Sequence, residues 1–178
     1  DRVTALLQQL EHRSSARRAA PVAAPGAASV DVTAYRSRLW VTRPRPGVDR
    51  MASGWLIRRF IDPQAKFGFA ADRDAVPANA VPFDMFGVEF SHQGDGCTFE
   101  TLCTTFSIRG PANARIGAIV HDLDLKDERF DALDAPPAGA MIEGLQLAHG
   151  DDETLLVQGM TLFESLYRAF DQSARAAV

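Results

Sequence analysis

Between Phe99 and Phe170 the chain lays down one apolar stripe after another at helical spacing, and this restricts the fold more than any other feature. Phe99, Leu102, Cys103 and Phe106 fall at i, i+3, i+4 and i+7, the signature of a helix with one face to bury. Ile116, Ile119, Val120 and Leu123 repeat that spacing. Met141, Leu145 and Ala148 give a shorter stripe, stopped at Gly150. Leu156, Met160, Phe163, Tyr167 and Phe170 make a last long one, opened by Asp151 or Asp152 as a cap. A chain with such a C-terminal half must supply an apolar partner for each helix.

The first half supplies β-formers. Arg38–Thr42 alternates as a strand does, Lys66–Ala70 reads as a short strand, and Val88–His92 as another that ends in the turn residues Gly94, Asp95 and Gly96. Residues 77–82 read as a loop. Pro44, Pro46 and Gly47 break the first strand, and Asp49 is placed to cap a helix from Arg50 to Ile61. Strands followed by a run of helices predict an α+β fold: a small mixed or antiparallel sheet of two to four short strands against a mostly helical C-terminal half. Residues 1–30 read as the fragment of a preceding helix, with the stripe Val3, Leu6, Leu7 and Leu10, followed by an Ala/Pro-rich linker. Residues 31–173 read as the domain proper. With Asp1 in place of a Met, the chain reads as a fragment of a longer protein.

No apolar run approaches a membrane span, and the net charge of −4 argues against whole-chain nucleic-acid binding. Two cysteines six residues apart make no disulfide framework, so a reducing cytoplasm is the expected compartment.

The run Glu89–Glu100 gathers four residues of ligand type, Glu89, His92, Cys97 and Glu100, around a glycine-softened turn. The next helix brings His121 and Asp124 at i and i+3, on one flank. A His/carboxylate mixture suits Zn²⁺, Fe²⁺ or Mn²⁺. The expected site is therefore His92, Glu100, His121 and Asp124, with Glu89 and Cys97 as an extra ligand or supporting residues. Asp122 points elsewhere and is expected to pair with Lys126. Each has a plainer reading: Glu100 favours a helix dipole, Asp124 caps a turn, His92 bonds backbone. Cys97 at a helix N-terminus also reads as an acidified thiol beside His92 or His121, a pair suited to covalent catalysis.

A second cluster is basic. Arg43, Arg45, Arg50 and Arg58, with Ser53, surround a helix start; Gly54 leaves space between Arg50 and Arg58 for a tetrahedral oxyanion. The alternative is a solvated face, with Asp49 and Asp62 as surface partners.

Three runs, residues 40–63, 86–102 and 119–127, together resemble the C-terminal domain of the ChrB-type chromate-resistance proteins. The resemblance implies a part in regulating chromate efflux, with chromate or a similar tetrahedral oxyanion as ligand. It implies DNA as a partner only through an N-terminal domain that this chain does not carry. The expected role is ligand sensing, of the oxyanion, a divalent metal or both. The alternatives are a metal-dependent enzyme handling chromate, reactive oxygen or sulfur species, with catalytic residues unassigned, and a homodimerising domain that uses the long C-terminal helix.

Overall fold

The computed structural model describes residues 30–176. The stripe Val3–Leu10, His12 and the Ala/Pro tract up to position 29 lie outside the described residues. The fold is α+β, with a three-stranded sheet and a helical C-terminal half. Strand β1 (Leu39–Thr42) is central, flanked by β2 (Lys66–Phe69) and β3 (Val81–Pro82). Both pairings are parallel, Trp40 standing opposite Phe67 and Val81, where a mixed or antiparallel sheet was expected. Parallel neighbours need a crossover, and the helix α1 (Val48–Leu56), extended by a π turn over Ile57–Ile61, supplies it between β1 and β2. Strand β3 falls inside the expected loop and holds a proline, which an edge strand tolerates. The expected strand Val88–His92 is reduced to a single bridge between Phe83 and Phe90, so His92 stands on irregular chain.

Asp62 is fully buried where a surface partner for arginine was expected. Its carboxylate accepts from the N–H groups of Ser37, Arg38 and Gln64 and from Trp40 Nε1, tying the starts of β1 and β2 together. A buried carboxylate with that many donors costs little to keep ionised, and burial's upward pull on its pKa is overcome by them.

The helices are α2 (Thr98–Thr105), α3 (Pro111–Leu125), α4 (Ala135–Ala148) and α5 (Asp152–Ala176). Pro111 opens α3 at a position where no N–H is needed. Asp151 accepts from Thr154 N–H at the head of α5. The α5 stripe faces inward: Leu156, Met160, Phe163 and Phe170 are buried, and Tyr167 packs on Trp55 and Phe60. That helix buries its apolar stripe inside the domain. Helix α4 buries Ala135, Ala138 and Ile142, while Met141 of the expected stripe is 57% exposed. Its sequence is apolar nearly all round, so spacing does not select a face.

Candidate cation site

Parallel strands converge at their carboxyl ends, and in open α/β sheets the crevice there is where ligands bind. In this chain two carboxylates arrive at that end. Asp49 stands in the first turn of α1, just after β1, and Asp84 follows β3 on a residue held in left-handed backbone. Asp49 is 2% exposed and accepts from the N–H groups of Thr98 and Phe99 at the head of α2, each at 2.8 Å, and from Ser53 Oγ at 3.2 Å. It caps α2 from outside that helix; the N-cap of its own helix is Gly47. Asp84 accepts from Thr98 Oγ1 and is gripped by Arg50 Nε at 3.0 Å and Arg43 at 3.3 Å.

His92 points its Nε2 into this pair. That atom lies 3.1 Å from Asp49 Oδ2, 3.2 Å from Asp124 Oδ2 and 3.6 Å from Asp84 Oδ1. Three carboxylates around one imidazole nitrogen favour the imidazolium: the Asp49 hydrogen bond, against burial, raises the His92 pKa, with Asp124 and Asp84 adding to it. Asp124 is pushed up to about 6, first by burial and then by the charge of Asp49. Asp49, His92 and Asp124 each present a ligand atom within 4.8 Å of the others, and among the described residues they are the one such set of three. A cation at about 2.0–2.2 Å from each ligand has ligand-to-ligand edges of roughly 3.0–3.5 Å. The distances from His92 Nε2 to the Asp49 and Asp124 oxygens match that edge.

The residues expected to share one ion are thus divided between two clusters. His92 and Asp124 meet Asp49, whereas Glu100 and His121 form a second group with Asp127. There His121, fully buried, has Nδ1 at 2.8 Å from Glu100 Oε2 and Nε2 at 3.2 Å from Asp127 Oδ2. The two carboxylates lie on opposite sides of the ring and do not converge on one ion. Glu100 also accepts from Cys97 N–H. Glu89 is exposed, and its carbonyl accepts from Gln93 Nε2. Cys97 is fully buried, and burial drives its thiol pKa up instead of down. Cys103 is likewise pushed up to about 12 by burial. Neither thiol is set up as a nucleophile. Asp122 does not pair with Lys126; it accepts from the N–H groups of Phe130 and Ala132.

The basic residues do not form one anion pocket. Arg50 donates to the carbonyls of Arg43, Pro44 and Arg45 and pairs with Asp84. Arg45 donates to the carbonyls of Gln146, His149 and Gly150, closing the C-terminal end of α4. Arg58 donates to Ala65 O and lies over the Phe67 ring, and the Ser53 hydroxyl is committed to Asp49. The space expected at Gly54 is filled by α5: a Cβ there would meet Leu156 Cδ1 at 3.2 Å.

Sequence reasoning missed Asp49 and Asp84 as members of the site and Asp127 as the partner of His121. Asp49 was legible as a cap or a surface partner of arginine, and Asp84 carried no signal in a segment that reads as loop.

Fold and site together define a small parallel α+β domain with a carboxylate–imidazole cluster at the carboxyl end of its strands. The family model of the ChrB C-terminal domain matches residues 40–170, and the chain belongs to that family. Protein ChrB of Cupriavidus metallidurans is 37% identical to it over 141 residues, 79% of this chain. The chain spans 43% of that relative's length. No solved structure matches it.

Proposed function

We propose that this domain is the ligand-sensing part of a regulator of chromate efflux, and that its sensing centre is a divalent cation held by Asp49, His92 and Asp124. One observation carries the reading: three ligand atoms from three separate chain segments lie within 4.8 Å of one another, two of the carboxylates at this end of the sheet being already engaged by firm donors. Cys97 is not among the three converging ligands, so an oxygen-rich set with one imidazole favours Mn²⁺ or Fe²⁺ over thiol-preferring Zn²⁺. His92 is 43% exposed, which leaves the solvent side of such an ion open. A tetrahedral oxyanion would enter there as a ligand of the cation, a role that the internally engaged arginines do not fill. Coupling to DNA would pass through a further domain.

The test is calorimetric titration of the metal-free protein with Mn²⁺ and with Zn²⁺, then with chromate on the loaded form. Stoichiometric Mn²⁺ binding that is lost in His92→Ala and Asp124→Ala supports the reading; no binding of either ion by the folded protein overturns it. The open side equally favours a second reading, a metal-dependent enzyme handling chromate, reactive oxygen or sulfur species. That reading requires turnover that disappears on chelation and returns with one ion.

A further inference from the structure

His121 is a buried titratable group that the cation site does not use. The segment after α3 rests on it in an unusual way. Lys126, Glu128 and Asp131 all hold left-handed backbone (φ 55°, 54° and 47°), a conformation that costs a non-glycine residue energy unless its surroundings impose it. What imposes it here is side-chain anchorage. Asp127 meets His121 Nε2, Asp122 takes the N–H groups of Phe130 and Ala132, and the Phe130 ring stands edge-on to His121 with centroids 4.9 Å apart. On the other side of the imidazole, Glu100 fixes Nδ1 to the first turn of α2. Both ring nitrogens therefore face carboxylates. Satisfying both acceptors at once takes two N–H donors, and a neutral imidazole has one.

The geometry points to a clamp: doubly protonated His121 ties the strap 126–132 to the head of α2, and loss of one proton frees the strap. The charged groups around the ring are Glu100 from α2, Asp127 from the strap with Arg129 N–H bonded to it, and Asp122 and Asp124 on its own helix. From α2 comes also the half-buried Cys103, an uncharged thiol. Burial works against the imidazolium, but the Glu100 and Asp127 hydrogen bonds outweigh it and raise the pKa above the ordinary 6.5. A raised histidine stabilises fully below its unfolded value, and that stability is lost as pH rises through the folded value. The strap is thus closed below the His121 pKa and released as pH rises through it, or when a ligand displaces Asp127. Asp124 stands in the same last turn of α3, so an open strap would loosen one of the proposed cation ligands. That consequence rests on the cation reading; the clamp itself does not.

Lys126 and Arg129 make the strap its own reporter, because trypsin cuts after each. The experiment is limited trypsinolysis of the whole chain in chelator from about pH 6 to about pH 9. Strap cleavage is read by fragment mass and normalised to trypsin's rate on an unstructured peptide at each pH. One linked proton predicts that normalised cleavage climbs by up to about tenfold per pH unit above the His121 pKa. Asp127→Asn, at a side chain 46% exposed and free to keep its bond to Arg129 N–H, moves that rise to lower pH. A wild-type profile that is flat with pH, or an Asp127→Asn profile that coincides with it, overturns the clamp. So does an imidazole ¹⁵N spectrum showing His121 as a single neutral tautomer at pH 6. Because no metal is present, failure here leaves the cation reading standing, and failure of metal binding leaves the clamp.

Discussion

At the scale of single residues, the two carboxylates beside His92 differ in what holds them. Asp49 is bonded to two backbone N–H groups and a hydroxyl, so Asp49→Ala leaves buried donors unpaired. Thermal melts in chelator are expected to show a loss of about 1–3 kcal/mol for that variant. Among the described residues Asp124 has no such backbone donors; its charged neighbours are His92, Arg50 and two like charges. Its carboxyl titrates at about 6 in the fold against an ordinary 3.8, so the native state binds more protons than the unfolded chain between those values. The stability that its protonated form contributes is therefore present below 3.8 and lost as pH rises through about 6. Asp124→Asn is expected to raise metal-free stability at neutral pH by on the order of 1 kcal/mol while abolishing Mn²⁺ binding. The gain vanishes at about pH 3.5. Equal destabilisation by both substitutions would contradict this division of labour. The pairing of His92 with Asp124 agrees with their expected grouping, whereas helical spacing alone put His121 on the same ion. Residues at i and i+3 share a flank, but the rotamer each adopts depends on what the neighbouring elements offer.

At the scale of elements, the crossing of α5 over α1 is set by small residues. A Cβ on Gly159 would fall inside the Met51 side chain, and Gly54 faces Leu156 and Met160. Gly159→Ala is therefore expected to destabilise by about 1–3 kcal/mol through overpacking, despite the better helix propensity of alanine. Gly144, on the exposed face of α4, has open space where an alanine methyl would stand, with nothing within 4 Å. Gly144→Ala should stabilise by about 0.5–1 kcal/mol, and denaturant melts of the two variants give opposite signs if both helices sit as described. Stripes over Phe99–Leu102, Ile116–Val120 and Leu156–Phe170 were legible because polar residues fill the opposite face. The α4 stripe was not, since Met141 and Ile142 compete on equal terms in a helix apolar on every side. The short β3 was hidden for another reason: two residues, one of them a proline, carry no alternation.

For the molecule as a whole, cation binding must appear as stability, because an ion bound only by the native state shifts unfolding by mass action. Saturating Mn²⁺ at about a hundred times its Kd is expected to add about 2.7 kcal/mol, read as a rise in Tm that His92→Ala removes. The gain should shrink as pH falls below about 6, where Asp124 and His92 hold protons in competition with the ion. An increment that ignores pH would place the ion elsewhere. The sequence by itself determined the α+β class, the helical C-terminal half, the inward stripe of the last helix and the family, because each is written in local periodicity or contiguous motifs. Only the tertiary structure decided that the strands run parallel, that Arg50 and Asp84 are partners and that Glu100 and His121 belong to a second cluster. It alone brought Asp49 to His92 and Asp124. These are meetings between segments tens of residues apart, fixed by the β1–α1–β2 crossover and by α3 packing behind it, and no spacing along the chain encodes them.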